Sequence, residues 1–161
     1  MLHAGQDLKQ QPDSQVCNFQ EHVFGFVRTK KVGLYNMEDV LHNPHGFGSN
    51  GSTLFNKPLP DRNRMSKTKL KRVKGINRYQ CDTHIHMNGW MLGLSHPYFS
   101  ITDKNGNYEI TDVPNGKYNL IVWHEGYNIV DFAEDKRPVY DEAHVIEKQI
   151  EKTQSAMFEQ E

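Results

Sequence analysis

Short runs rich in β-branched and aromatic residues recur along the chain, alternating with stretches of the turn residues Gly, Asn, Pro and Asp. Such runs bounded by turn residues mark strands. Residues 23–27, Val-Phe-Gly-Phe-Val, read as one strand and residues 32–36 as another. Residues 44–60 are rich in Gly, Ser, Asn and Pro and read as loop. A strand-like stretch covers 68–73, and residues 76–81 lead into a segment rich in histidine. Further on, 98–102 read as a strand and Asn105-Gly106 as a tight type I′ turn. A second turn at 113–116 precedes 118–123, an apolar strand long enough to be buried. Residues 145–150 fit a strand or one face of a short helix, and the strand is preferred. No helical period stands out elsewhere and no repeat is visible, so the expectation is an all-β chain. Residues 1–16 are polar, lack periodicity and read as a flexible arm.

Composition narrows the functional classes. A chain of 161 residues has room for one domain or two small ones. Its 36% hydrophobic content lies above that of a disordered chain. A formal net charge of −1 gives no global field toward nucleic acid or an anionic membrane. No apolar run approaches the roughly 20 residues of a membrane span, and no signal peptide is visible. Basic residues do crowd 62–78. They read as a solvated strand whose lysines discourage edge pairing, with a docking patch for an acidic redox partner as the alternative. Asp141, Glu142, Glu147 and Glu151 make the C-terminal segment acidic, which leaves head-to-tail self-association open.

The chemistry sits in Cys81-Asp82-Thr83-His84-Ile85-His86-Met87. A thiol, an imidazole and a thioether recur at intervals of three, so one tight loop can aim all of them at a point. Thiolate and thioether are soft ligands and imidazole is borderline. A His₂Cys set with a weak axial Met is the donor set of electron-transfer copper sites. Leu41-His42-Asn43-Pro44-His45 offers the second imidazole.

Together, Cys-x-x-His-x-x-Met and the earlier His-Asn-x-His resemble the cupredoxins, with an amicyanin-like ligand loop. The likeness covers roughly residues 17–91, about half the chain, and implies a copper domain over 17–95, a Greek-key β-sandwich in that family. It implies His42, Cys81 and His84 as equatorial copper ligands and Met87 as the axial one. It also implies Asn43 as the residue that ties the two ligand loops together. Residues 96–161 resemble a different family. Thr102-Asp103-x-x-Gly106-x-Tyr108, followed by Val113-Pro114-x-Gly116-x-Tyr118, is similar to the carboxypeptidase regulatory-like (transthyretin-like) β-sandwich. The fusion is similar to a group of bacterial extracytoplasmic proteins, which implies a periplasmic or comparable location.

Other readings of the same residues stay open. A Cys17–Cys81 disulfide would remove the thiolate. Cys17 or His22 can serve as an extra ligand, and His86 competes with His84. His45 and His86 otherwise read as loop histidines, and Met91 is a less well spaced substitute for Met87. A free Met1 amine with His3 would make a square-planar copper or nickel site. Asp103-x-Asn105-x-Asn107 lacks the Gly and Glu of an EF-hand. The Gly-rich stretch 46–52 lacks the Gly-Lys-Ser/Thr ending of a phosphate loop. The leading expectation is a copper electron carrier, not itself an enzyme, exchanging electrons with a cytochrome or oxidoreductase. A structural or assembly subunit, and copper storage or delivery, are the alternatives.

Overall fold

The computed structural model describes residues 2–3, 17, 19–28, 31–70 and 72–153. It is all-β, with no helix among the described residues. Two compact units divide the chain, residues 1–109 and 110–161, so residues 96–109 fall with the first unit.

Among the described residues, the first unit holds eight strands in two sheets. Strands β1 (Leu2–His3), β3 (Lys31–Tyr35) and β6 (Met65–Lys69) form an antiparallel sheet in the order β1-β3-β6. Strands β2 (Val23–Val27), β4 (Pro44–Phe47), β5 (Thr53–Asn56), β7 (Gly75–Cys81) and β8 (Asn88–Leu94) form the other, in the order β2-β8-β7-β4-β5. Only β2 and β8 run parallel in that sheet. Alternation places Phe24 and Phe26 of β2, Val32 and Leu34 of β3, Tyr79 and Cys81 of β7, and Met91 of β8 in one core between the sheets. The arrangement is sandwich-like. Phe19 and Phe24 pack their rings on Tyr79 at centroid distances of 4.7 and 5.3 Å. The Tyr79 hydroxyl donates to the Glu21 carbonyl, which satisfies the one polar atom of that ring.

Several elements differ from expectation. Residues 44–60 are not plain loop: they contain the β4–β5 hairpin, with a bulge between Gly46 and Phe47. The backbone of β4 needs its glycine, because a Cβ at Gly46 would lie 2.2 Å from the Phe55 ring and 2.8 Å from the Met91 methyl. The expected strand at 98–102 forms no ladder. Nor is the Asn105-Gly106 turn type I′, because Gly106 has positive φ (82°) and Asn105 does not. Asp103 accepts from the Gly106 N–H, and its own N–H donates to the Asn107 carbonyl. This is the three-residue turn in which a left-handed Gly follows a type I turn. Asp103 Oδ1 accepts the N–H of Asn105 and of Asn107, and those bonds hold its carboxyl below the usual range. Of residues 1–16, Leu2 and His3 pair with β3. The remainder of the expected arm, the Met1 amine and the His3 side chain lie outside the described residues.

Strand β6 is an outer strand, and its Lys67 and Lys69 are exposed. That placement suits lysines that keep an edge soluble and unpaired.

In the second unit, β9 (Gly116–His124) pairs antiparallel with β12 (His144–Lys152), and β10 (Ile129–Phe132) pairs with β11 (Pro138–Tyr140). Residues 145–150 are therefore strand. The apolar strand expected at 118–123 is present, but Ile121 is 60% exposed and Ile146 on its partner 65%.

Candidate metal centre

Pairing in the five-stranded sheet brings together residues that are far apart in sequence. Pro44 of β4 stands opposite Cys81 of β7, and the Asp82 N–H continues the ladder to the Asn43 carbonyl. His42 precedes β4 and is fixed by two backbone bonds to Leu59. Cys81 ends β7 on its core-facing side, in step with Tyr79, and is fully buried. The 82–87 loop then folds back. The Met87 N–H reaches the His84 carbonyl at 3.0 Å, and the Cys81 N–H reaches the Met87 carbonyl at 2.9 Å. Met87 is thereby buried beneath the loop, 1% exposed.

Cys81 Sγ faces two imidazole nitrogens, His42 Nδ1 at 3.9 Å and His84 Nδ1 at 3.6 Å. The Asn43 N–H donates to the same sulfur at 3.4 Å. Thr83 Oγ1 lies 3.0 Å from that sulfur and 3.1 Å from the Leu41 carbonyl, with one proton to give. Burial pushes the Cys81 thiol up, but the hydrogen bonds from His42, Thr83 and the Asn43 N–H outweigh it and bring its pKa down to about 5. His42 is shifted upward, first by its bond to Cys81, against the opposing effect of burial, and further by Glu38. The pair therefore favours a thiolate beside an imidazole ring.

Glu38, four residues before His42, was not singled out from the sequence. One of its oxygens lies 2.6 Å from His42 Nε2, and the other accepts the Cys17 N–H at 2.6 Å. The Glu38 N–H in turn donates to Asn36 Oδ1, and Asn36 is itself tied to the Val40 and Leu59 carbonyls. A carboxylate on Nε2 keeps the proton there; Nδ1, which donates to the Cys81 sulfur in the metal-free protein, is the nitrogen that would ligate an ion once its proton leaves. Outside a helix, a carboxylate four residues before a histidine gives no signal in the sequence.

The second cysteine belongs to the same cluster. Cys17 Sγ lies 3.5 Å from His84 Nε2, and Cys17, His42 and His84 offer ligand atoms within 4.8 Å of one another. This group can hold a metal ion. Both cysteines are free, so no disulfide joins them. Burial, then Glu38 and Cys81, push the Cys17 thiol up.

The remaining candidates are placed elsewhere. His22 turns Nδ1 to the Asn88 carbonyl at 3.2 Å. His86 Nε2 lies 2.6 Å from the Cys17 carbonyl. His45 spans Asp82 Oδ2 and Thr53 Oγ1, each at 2.9 Å. Asn43 Nδ2 donates to Asp82 Oδ2 at 3.2 Å, which links the loop of His42 to the loop of Cys81. Met91 is buried in the core, facing Gly46.

No protein-family model, curated protein or solved structure matches this chain. The donor set therefore has to be judged on its own geometry. A trigonal ion with ligand bonds of about 2.0–2.3 Å sets its donors roughly 3.5–4 Å apart. The two Cys81–imidazole separations, 3.9 and 3.6 Å, fall in that range. The residues present fit a borderline-to-soft transition ion.

Proposed function

We propose that this chain is a mononuclear copper protein of the cupredoxin type that carries single electrons between partner proteins outside the cytoplasm. The observation that carries this reading is the convergence of two imidazole Nδ1 atoms on one buried, low-pKa sulfur, in a loop that closes on a buried methionine. His42, Cys81 and His84 would hold the ion, with Met87 as a weak fourth ligand. Bound copper would supply one-electron exchange between Cu(II) and Cu(I). The chain's own residues keep the site in one shape. Glu38 sets the His42 tautomer, the Asn43 N–H and Thr83 hold the sulfur, and the Asn43–Asp82 bond locks the two loops together. Such a scaffold keeps reorganisation small when charge changes, which is what a carrier needs. Exposed Val40, Leu41 and Ile85 border the ligands in sequence, and the Leu41 carbonyl touches the loop through Thr83. These are the exposed apolar residues next to the ligands on which a cytochrome or oxidoreductase would dock.

The test is titration of reduced protein with Cu(II), read by visible absorption and EPR. The reading predicts one equivalent of copper, an intense thiolate-to-copper band, narrow copper hyperfine splitting and reversible reduction. Copper taken up without such a band contradicts it.

A second reading concerns residues 110–161, for which we propose an assembly role. Its two small sheets carry exposed Ile121, Val130, Phe132 and Ile146. Two-stranded sheets are marginal alone, and apolar surface of this kind marks a contact. Light scattering that finds a stable oligomer or partner complex, with or without copper, supports this role; a monomer that captures no partner removes it.

A further inference from the structure

We propose that Cys17 is a second metal-binding thiol of this centre, the position through which Cu(I) enters and leaves. The inference deepens the copper reading above and rests on it. His84 has a sulfur at each ring nitrogen: buried Cys81 3.6 Å from Nδ1, and half-buried Cys17 3.5 Å from Nε2. Cys17 also belongs to a three-donor group with His42 and His84, whose ligand atoms lie within 4.8 Å of one another. Two donor sets thus overlap and share both histidines, one closed by an inner sulfur and one by an outer sulfur.

Cys17 is not a stray surface thiol. Its N–H donates to Glu38 at 2.6 Å, and the other oxygen of that carboxylate holds His42. Its carbonyl lies 2.6 Å from His86 Nε2. Its backbone is held at φ 56°, a conformation that a non-glycine residue adopts only when its surroundings impose it. These contacts aim the thiol at the outer edge of His84.

A soft thiolate selects Cu(I). Cys17 accepts Cu(I) from a donor, and its thiol proton passes to solvent. Inward transfer then exchanges the Cys17 sulfur for Cys81 and His84 Nε2 for Nδ1; the His84 ring proton passes from Nδ1 to Nε2, and the freed Cys17 thiolate takes a proton back from solvent. The ion remains Cu(I) throughout, so neither oxidant nor reductant is needed. Release runs the same way in reverse. A buried sulfur alone would exchange copper slowly, because nothing but Cys81 and the closed loop above it would receive the ion.

The experiment is anaerobic transfer from Cu(I)–bicinchoninate to the full chain, followed by loss of the chromophore in stopped flow. Wild type, Cys17→Ser, Cys17→Ala and Cys81→Ser are compared. Both Cys17 variants should reach the copper stoichiometry of wild type and, after oxidation, the same visible band. They should load and unload at least about tenfold more slowly. Cys81→Ser should still take Cu(I) at the wild-type rate but hold it more weakly. Loading of both Cys17 variants at the wild-type rate overturns this inference and leaves the copper reading standing. A wild-type chain that removes no Cu(I) from bicinchoninate overturns both. Loss of the visible band in the Cys17 variants, with its retention in Cys81→Ser, also overturns the inference, because Cys17 would then be the resident ligand.

Discussion

At Cys81 two effects oppose each other. Burial favours the neutral thiol, while donors from His42, Thr83 and Asn43 favour the thiolate, and the donors prevail. The folded-state pKa is lowered, so metal-free protein holds a thiolate above about pH 5 and a thiol below it. Thiolate absorbance near 240 nm should therefore titrate with a midpoint near 5. That step should vanish in Cys81→Ser and move upward in Thr83→Val, which removes one donor. Glu38 acts at one remove, by fixing the proton on His42 Nε2. Glu38→Gln should weaken copper binding by about 10–100-fold, as for other carboxylates behind a ligating histidine; competition with a copper chelator measures it. Much of this scale was legible in the sequence, because ligand chemistry is a property of residue type. Cys81, His42 and His84 could be paired from their spacing and donor character. The bond of Glu38 to His42 was not read, since a carboxylate four residues away has no distinctive signature outside a helix. The place of Cys17 was not fixed either, because nothing local ties residue 17 to residue 84.

At the scale of elements, the centre depends on register. Pro44 opposite Cys81 puts His42 beside the sulfur, and a one-residue slip would turn Cys81 out of the core. The hairpin that sets this register is tight at Gly46. Gly46→Ala should cost about 1–3 kcal/mol, because Phe55 and Met91 are themselves buried and must shift; urea unfolding reads it. Leu34, fully buried on β3, should cost about 2–5 kcal/mol on truncation to Ala by the same measurement. Strand β2 was visible because residues 23–27 are a short run of Val and Phe, residues that favour strands. Strands β4 and β5 were not. Each has four residues, and the Pro, Gly and Asn within and between them signal turn chemistry more strongly than pairing. Residues 98–102 have strand composition yet no ladder, because composition cannot supply a partner strand.

At the scale of the whole molecule, burial is uneven. The 1–109 unit has a continuous core, whereas β10 and β12 are exposed at every position. Native-state hydrogen exchange should find the Tyr79 and Met91 amides protected nearly to global unfolding, and those of β10–β11 exchanging fastest. Equal protection in both units would contradict that ordering. The all-β class was legible from the short β-rich runs and the spacing of turns. The extent to which 118–123 is covered was not, because an apolar run states a need for burial without naming what provides it. The account as a whole turns on which sulfur completes the centre. The direct measurement is the visible and EPR spectrum of copper-loaded Cys81→Ser beside Cys17→Ser. The account predicts that the thiolate-to-copper band disappears in Cys81→Ser and survives in Cys17→Ser. A band that survives in Cys81→Ser, or that wild type never shows, would contradict it.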